Sequence, residues 1–234
     1  MGARGETERH ERVALITGAS SGIGRAVALA LAEAGWSLHL SGRDGDRLRE
    51  LAAGLPAAEV HPGDLSDDRF VGTLAEALPA ELTALVHSAG TVSLGRFDEA
   101  AVEDFDRQYR VNVRAPYLLT QLLLPQLRRG RASIVFVNSG AGNNARAAWG
   151  QYAASKHALR ALANSLREEE PDLRVTSVYP GRTASPMQAE VHRMEGRDYE
   201  PDSFMQPDDV AQEISLLLRL PRRAVVTDLS IRPS

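Results

Sequence analysis

The sequence predicts an α/β fold, a doubly wound parallel sheet of about seven strands with helices on both faces. Three observations predict it. Short apolar runs alternate with longer segments of helical period along the chain, the pattern that lays crossover helices over a parallel sheet. A glycine-rich turn, Gly18 to Gly24, separates the first apolar run from the first helical segment. No internal repeat, low-complexity stretch or clear linker breaks the alternation, so residues 12–234 read as one domain.

Each element has its own signal. Val13 to Ile16 is apolar throughout, as a strand covered on both faces must be. Arg25 to Ala34 follows as a helix that Gly35 ends. Leu38 to Leu40 gives the second strand, with a helix near Asp46 to Ala53. Glu59 to His61 is a short third strand before a helix near Asp67 to Leu78, and Ala84 to Val86 is the fourth. One long helix is predicted from about Glu99 to Leu127, then a fifth strand from Ile134 to Val137. A second long helix covers Tyr152 to Glu169, and Val175 to Val178 is the sixth strand. Pro207 to Leu220 forms the last helix and Ala224 to Val226 the last strand.

Composition narrows the function. The chain has 234 residues and no cysteine, which excludes disulfides, thiolate metal sites and a cysteine nucleophile. A net charge of −4 gives no electrostatic reason for a nucleic-acid partner. No apolar run approaches the ~18 residues of a membrane span. The opening MGARGETERHER is polar and lacks the apolar core of a signal peptide. Residues 1–11 are therefore expected to be a disordered or frayed lead-in, and the protein to be cytoplasmic. No histidine–carboxylate set has the helical spacing of a zinc site, so no metal is expected. Of the 27 basic residues, every one but Lys156 is arginine.

Thr17-Gly18-Ala19-Ser20-Ser21-Gly22-Ile23-Gly24 links the first strand to the first helix. Glycines there let the backbone turn tightly and approach a pyrophosphate, and the helix N-terminus offers free N–H groups and a favourable dipole. An isolated glycine triplet is equally compatible with a turn that binds nothing; the strand before it and the helix after it favour the ligand.

The loop does not stand alone. His87-Ser88-Ala89-Gly90, Asn112, Ser139, Tyr152, Lys156 and Pro180-Gly181 follow it in order. Over nearly the whole length, the chain resembles the single-domain branch of the short-chain dehydrogenase/reductase family. The resemblance implies a Rossmann-type sheet and a nicotinamide dinucleotide. Gly18, Ser20, Ser21, Gly22, Ile23 and Gly24 would hold its phosphates, and Asp64 and Leu65 would meet its adenine. Ser88, Ala89, Gly90, Pro180, Gly181, Thr183 and Ser185 would complete the cofactor site. Ser185 stands where the family commonly has threonine, and His87-Ser88 where it usually has Asn-Asn. The resemblance makes Asn112, Ser139, Tyr152 and Lys156 catalytic, with Asn112 holding a water that relays protons to the lysine and Lys156 also holding the nicotinamide ribose.

The residues support that chemistry. Tyr152 and Lys156 are four apart on a predicted helix and share a face. A phenol with an ordinary pKa near ~10 is a poor acid–base catalyst at neutral pH, and a neighbouring ammonium is expected to make it more acidic. Alone, such a pair is a common surface feature. The single lysine in an arginine-rich chain favours a site, because a compact ammonium does what a planar guanidinium cannot. Ser139 stands at the C-terminal end of the fifth strand, where ligand sites of open parallel sheets gather, and its hydroxyl can stabilise charge on a substrate oxygen. Without the other two it is an ordinary loop serine. Asn112 lies within the long predicted helix, a mediocre place for asparagine.

An acid after the second strand commonly selects NAD. Here Gly42 occupies that position and Arg43 follows, where a guanidinium pairs with the 2′-phosphate of NADP. NADP(H) is thus favoured and NAD(H) possible; Asp44 reads as the N-cap of the next helix, and Arg43 can equally be one more exposed arginine. Residues 182–206 are expected to form a short substrate lid. Met187, Met194, Phe204 and Met205 suit an apolar carbonyl compound or a loop packing its own cluster, whereas Arg182, Arg193 and Arg197 would suit an acidic one. In the family the two long helices often pack against a partner, so a homodimer or homotetramer is expected. Two functions remain beside a carbonyl reductase or alcohol dehydrogenase: a catalytically silent cofactor-binding sensor, and a sugar-nucleotide epimerase or dehydratase. Retention of both Tyr152 and Lys156 speaks against the first, and the short C-terminal region against the second.

Overall fold

The computed structural model describes residues 12–233; the expected lead-in at 1–11 lies outside them. Seven strands form one all-parallel sheet: β1 Val13–Thr17, β2 Ser37–Gly42, β3 Ala58–Pro62, β4 Ala84–His87, β5 Ser133–Val137, β6 Arg174–Pro180 and β7 Asp228–Ile231. Their spatial order is β3-β2-β1-β4-β5-β6-β7. The order reverses between β1 and β4, and ligand sites in such sheets open at the carboxyl ends beside that reversal.

Period-two alternation sends each strand's apolar residues to two separate cores. Ala14, Ile16, Leu38, Leu40, Val86, Val135 and Val178 pack under α1 (Gly22–Glu33), α2 (Gly45–Ala53) and α8 (Pro207–Arg219). On the other face Val13, Leu15, Leu85, Ile134, Phe136 and Val175 pack under α3 (Asp68–Glu76), α5 (Ala115–Arg129) and α6 (Gly150–Glu169). The helix starts are written locally. Asp44 accepts from the Arg47 N–H at 3.1 Å, as expected of an N-cap, and Asp67 caps α3 through Arg69 N–H. Gln206 and Asp209 form a reciprocal capping box on α8.

Three predicted elements differ. The long helix is α4 (Val102–Tyr109) and α5 joined by a π-helical turn, Arg110–Arg114. Pro116 explains a break in the ladder there: without an N–H it cannot donate to the Asn112 carbonyl four residues back. The last strand lies at Asp228–Ile231 rather than Ala224–Val226. As the outermost strand, β7 is half-buried and alternating; Leu229 and Ile231 reach the core, while Val225 is half-exposed. Finally, the segment expected as a loop-like lid contains α7 (Pro186–Met194), capped by Ser185 with Pro186 at its first position.

Candidate active site

The carboxyl ends of β1, β2, β4, β5 and β6 open into one cleft of about 720 Å³. Its floor begins with the glycine loop. Gly18 (φ +69°) and Gly22 (φ +53°) take left-handed conformations that disfavour a side chain. A Cβ on Gly18 would lie 2.8 Å from the backbone of Ala89, so the first loop and the loop after β4 touch through bare main chain. Thr17 holds them together: its Oγ1 accepts from the N–H of Ser88 at 3.1 Å and of Ala89 at 3.2 Å. The first turn of α1 carries no acidic residue, and Ser21 makes no side-chain cap. Its N–H groups stay available at the floor of the cleft, a ready anion site.

Most residues singled out in the sequence line this cleft. Gly18, Ser20, Ser21, Gly22, Ile23, Arg43, Asp64, Leu65, Ser88, Ala89, Gly90, Ser139, Tyr152, Lys156, Pro180, Gly181, Thr183 and Ser185 all do. Gly24 and Asn112 stand behind the lining rather than on it. Gly24 is a packing glycine; a Cβ there would stand 2.4 Å from the Gly18 carbonyl oxygen. Asn112 sits behind the wall, 1 % exposed. Its Oδ1 accepts from Thr91 N–H at 2.9 Å, and its Nδ2 donates to the Thr91 carbonyl at 2.9 Å and to Ser155 Oγ at 3.0 Å. The side chain thus clamps the stretch after Gly90.

Tyr152 and Lys156 project from α6 into the cleft, both buried. Lys156 Nζ stands 5.8 Å from the centre of the Tyr152 ring and donates to the Val137 carbonyl at 3.2 Å. Asn138 fixes the neighbouring backbones: its Nδ2 donates to the Lys156 carbonyl at 3.1 Å, and its Oδ1 accepts from Ser139 N–H at 2.9 Å. Ser139 stands beside the Tyr152 hydroxyl, near enough to favour its phenolate. The electrostatics run opposite to the expected direction. Burial pushes the Tyr152 phenol up to about 12, against the lowering effect of the Ser139 hydrogen bond. Burial also pulls the Lys156 ammonium down to about 8. Desolvation therefore dominates at both groups.

His87 is a satisfied core residue. Its Nε2 lies 2.8 Å from Thr120 Oγ1, its ring stacks on Phe136, and burial lowers its pKa to about 3, which keeps it neutral. Arg43 is exposed at the cleft edge and makes no ion pair among the described residues; Asp44 is turned to Arg47 instead, with a 3.3 Å ion pair.

The segment around α7 has two sides. Met187, Val191 and Met194 of α7 pack with Val92, Trp149 and Tyr152 on the cleft side. Arg182, itself part of the cleft lining, grips both carboxylate oxygens of Glu195 at 2.9–3.0 Å, and His192 packs against Tyr199 and Phe204. Arg197 also reaches Glu195 at 3.6 Å, while Arg193 pairs with Glu190. All three lid arginines are thus answered by lid carboxylates. Met205 is buried with Val178 and Val210 in the core under α8. The sequence reading passed over Thr17, Val92, Trp149 and Arg232, all but Thr17 cleft-lining. Thr17 alone had a signal, at the head of the glycine loop.

Known proteins share this architecture. The profile of the short chain dehydrogenase family matches residues 12–196. An uncharacterized oxidoreductase of Staphylococcus epidermidis is 30 % identical over 230 residues, covering 95 % of this chain and 97 % of that one. The Escherichia coli K12 oxidoreductase YciK is 33 % identical over 214 residues, 86 % of this chain and 83 % of its own. Among solved structures, an alcohol dehydrogenase of Thermococcus sibiricus complexed with 5-hydroxy-NADP superposes with a TM-score of 0.86 at 27 % identity, covering 95 % and 96 %. A short chain dehydrogenase of Escherichia coli CFT073 complexed with NADPH gives 0.85 at 30 % identity, covering 94 % and 96 %. With that profile matched over residues 12–196, the chain belongs to the short chain dehydrogenase family.

Proposed function

We propose that the protein is an NADP(H)-dependent oxidoreductase that interconverts a carbonyl and an alcohol, with Tyr152 as its general acid/base. The observation that carries this reading is the meeting of Ser139, Tyr152 and Lys156 at one wall of a cleft whose floor is the glycine loop and whose edge is Arg43. The residues fit a dinucleotide. Gly18 and Gly22 present bare backbone, and the uncapped N-terminus of α1 faces the pyrophosphate position. Arg43 stands ready for a 2′-phosphate, which agrees with the NADP and NADPH bound by the similar structures. Bound there, a nicotinamide dinucleotide supplies or takes up the hydride.

The chain's own groups handle the proton. A phenol at about 12 keeps its hydrogen at neutral pH, so Tyr152 Oη is a donor to the substrate oxygen in the reductive direction. Ser139, the other hydroxyl at that wall, is a second donor for the same oxygen once it turns from Tyr152 to the substrate. Lys156, at about 8, is mostly protonated at pH 7. Its ammonium favours the phenolate left behind and so eases the transfer. For resupply of the proton, the Asn112 carbonyl has lost its helical donor to Pro116 and is suited to hold a water.

Val92, Trp149, Met187 and Val191 give the substrate end an apolar wall, and the lid arginines are neutralised. An apolar ketone or aldehyde suits that wall better than an acidic one. We also propose a homo-oligomer, because Val102, Phe105 and Tyr109 of α4 and Tyr117 and Leu122 of α5 are all more than a third exposed.

The test is a panel of ketones, aldehydes and alcohols with NADPH and NADH, followed at the nicotinamide absorbance. Tyr152→Phe is expected to abolish turnover and leave NADPH binding nearly intact. A wild type that binds NADPH tightly yet turns over nothing in the panel would instead indicate a sensor.

A further inference from the structure

Away from the cleft, the β2–β3 margin of the sheet carries three ligand-type side chains on one face. Leu38, Leu40 and Val60 face the core under α2; His39, Glu59 and His61 alternate with them and face the other way. The parallel register sets His39 beside Glu59 and Ser41 beside His61. His39 Nδ1 lies 3.0 Å from His61 Nε2 and 3.8 Å from Glu59 Oε2. One ligand atom from each residue falls within 4.8 Å of the other two.

A hydrogen bond between the imidazoles accounts for the His–His contact but not for the carboxylate beside it. Ligands around a tetrahedral zinc-class ion, with bonds of about 2.0–2.1 Å, stand about 3.4 Å apart. The two measured separations bracket that value. Imidazole binds such ions through a neutral ring nitrogen, and partial burial lowers the pKa of both histidines, which favours that form. Glu59, exposed to solvent, brings the negative charge. A second observation lies one rung along: the Ser41 hydroxyl is fully buried and has no hydrogen-bond partner among the described residues. A water on the fourth coordination position would offer it one. Helical spacing rules do not find such a set, because strand neighbours are two apart and the third ligand comes from the next strand.

We propose that His39, Glu59 and His61 bind one zinc-class divalent ion, which clips the outermost strand β3 to β2. The ligands are His39 Nδ1, His61 Nε2 and a Glu59 carboxylate oxygen. None of the three lines the cleft, so the inference is independent of the proposed oxidoreductase activity.

The test uses the full chain, stripped with a chelator and dialysed, and then titrated with Co²⁺ in the absence of nucleotide. One equivalent is expected to produce the intense visible absorption of a low-coordinate cobalt–imidazole site, which Zn²⁺ then abolishes. Saturating Zn²⁺ should also raise Tm by several degrees, because only the folded chain assembles the site. Glu59→Gln and His61→Asn should each weaken Co²⁺ binding at least tenfold. Should His61→Asn fold poorly, Glu59→Gln, at an exposed side chain, carries the comparison. The proposal is overturned if the wild type takes up no stoichiometric Co²⁺, or if the binding survives unchanged in the folded variants.

Discussion

Removing the Arg43 guanidinium gives the most direct test of cofactor choice. Arg43 follows β2 at the cleft edge, without an ion-pair partner among the described residues, and Asp44 is occupied by Arg47. Arg43→Ala should therefore leave the fold alone, since no packing or ion pair is lost. A hydrogen bond to a charged group is worth about 1.5–3 kcal/mol, and each 1.4 kcal/mol is tenfold in affinity. Solvent exposure and salt screening place Arg43 at the lower end. The variant should raise the KM for NADPH about tenfold, leave that for NADH within about twofold, and leave kcat with a saturating ketone near wild type. Initial rates at fixed ketone and varied nucleotide measure this, and raising the salt concentration should narrow the wild-type preference. Equal losses for the two nucleotides would refute the 2′-phosphate assignment.

Three further predictions probe Lys156 and the residues that support the cleft. Lys156 is charged at neutral pH in both folded and unfolded chains, yet burial lowers its folded pKa from 10.5 to about 8. The unfolded chain then binds more protons between those values, so this residue's destabilising contribution is full below pH 8 and relieved toward pH 10.5. Lys156→Met should abolish turnover but raise Tm at pH 7, with the gain shrinking across that window; a gain independent of pH would contradict the assignment. Asn112→Ala removes both partners of the Thr91 backbone, at about 1–3 kcal/mol for each group left unsatisfied. Denaturant titration should show that loss, and an unchanged midpoint would mean that water replaces the clamp. Gly24→Ala drives a methyl into the Gly18 carbonyl at 2.4 Å; both Tm and NADPH affinity should fall, and retention of both would show that α1 shifts at little cost.

Much of this was legible in the sequence because parallel strands covered on both faces are written as uninterrupted apolar runs. Val13 to Thr17 and Ser133 to Val137 are buried at every position, and their neighbours fell into place around them. The outermost strand obeys a different rule. β7 alternates, so the apolar run just before it, Ala224 to Val226, was the stronger signal and the wrong one. Cleft-lining glycines and Tyr152 with Lys156 were readable as motifs, but the balance of burial and charge at the phenol is a three-dimensional quantity that spacing does not contain. Two local signals were present and outweighed. Ser185-Pro186 is a helix start inside what composition presents as a methionine-rich loop, and Asn112 with Pro116 four residues on marks the interrupted ladder. The pairing of Arg182 and Arg197 with Glu195, and of Arg193 with Glu190, depends on how α7 ends and is invisible along the chain.

The segment around α7 divides its labour between two faces of one helix. The side that holds α7 in place is polar and aromatic, built from Arg182, Glu195, His192, Tyr199 and Phe204. On its other side Met187 and Val191 line the cleft, with Met194 packed behind them. Retuning and anchoring are thus uncoupled: randomising only those three positions should yield folded enzymes of altered preference, whereas mutations of equal size on the anchoring side should mostly cost solubility. Such a partition makes this helix a natural target for directed evolution.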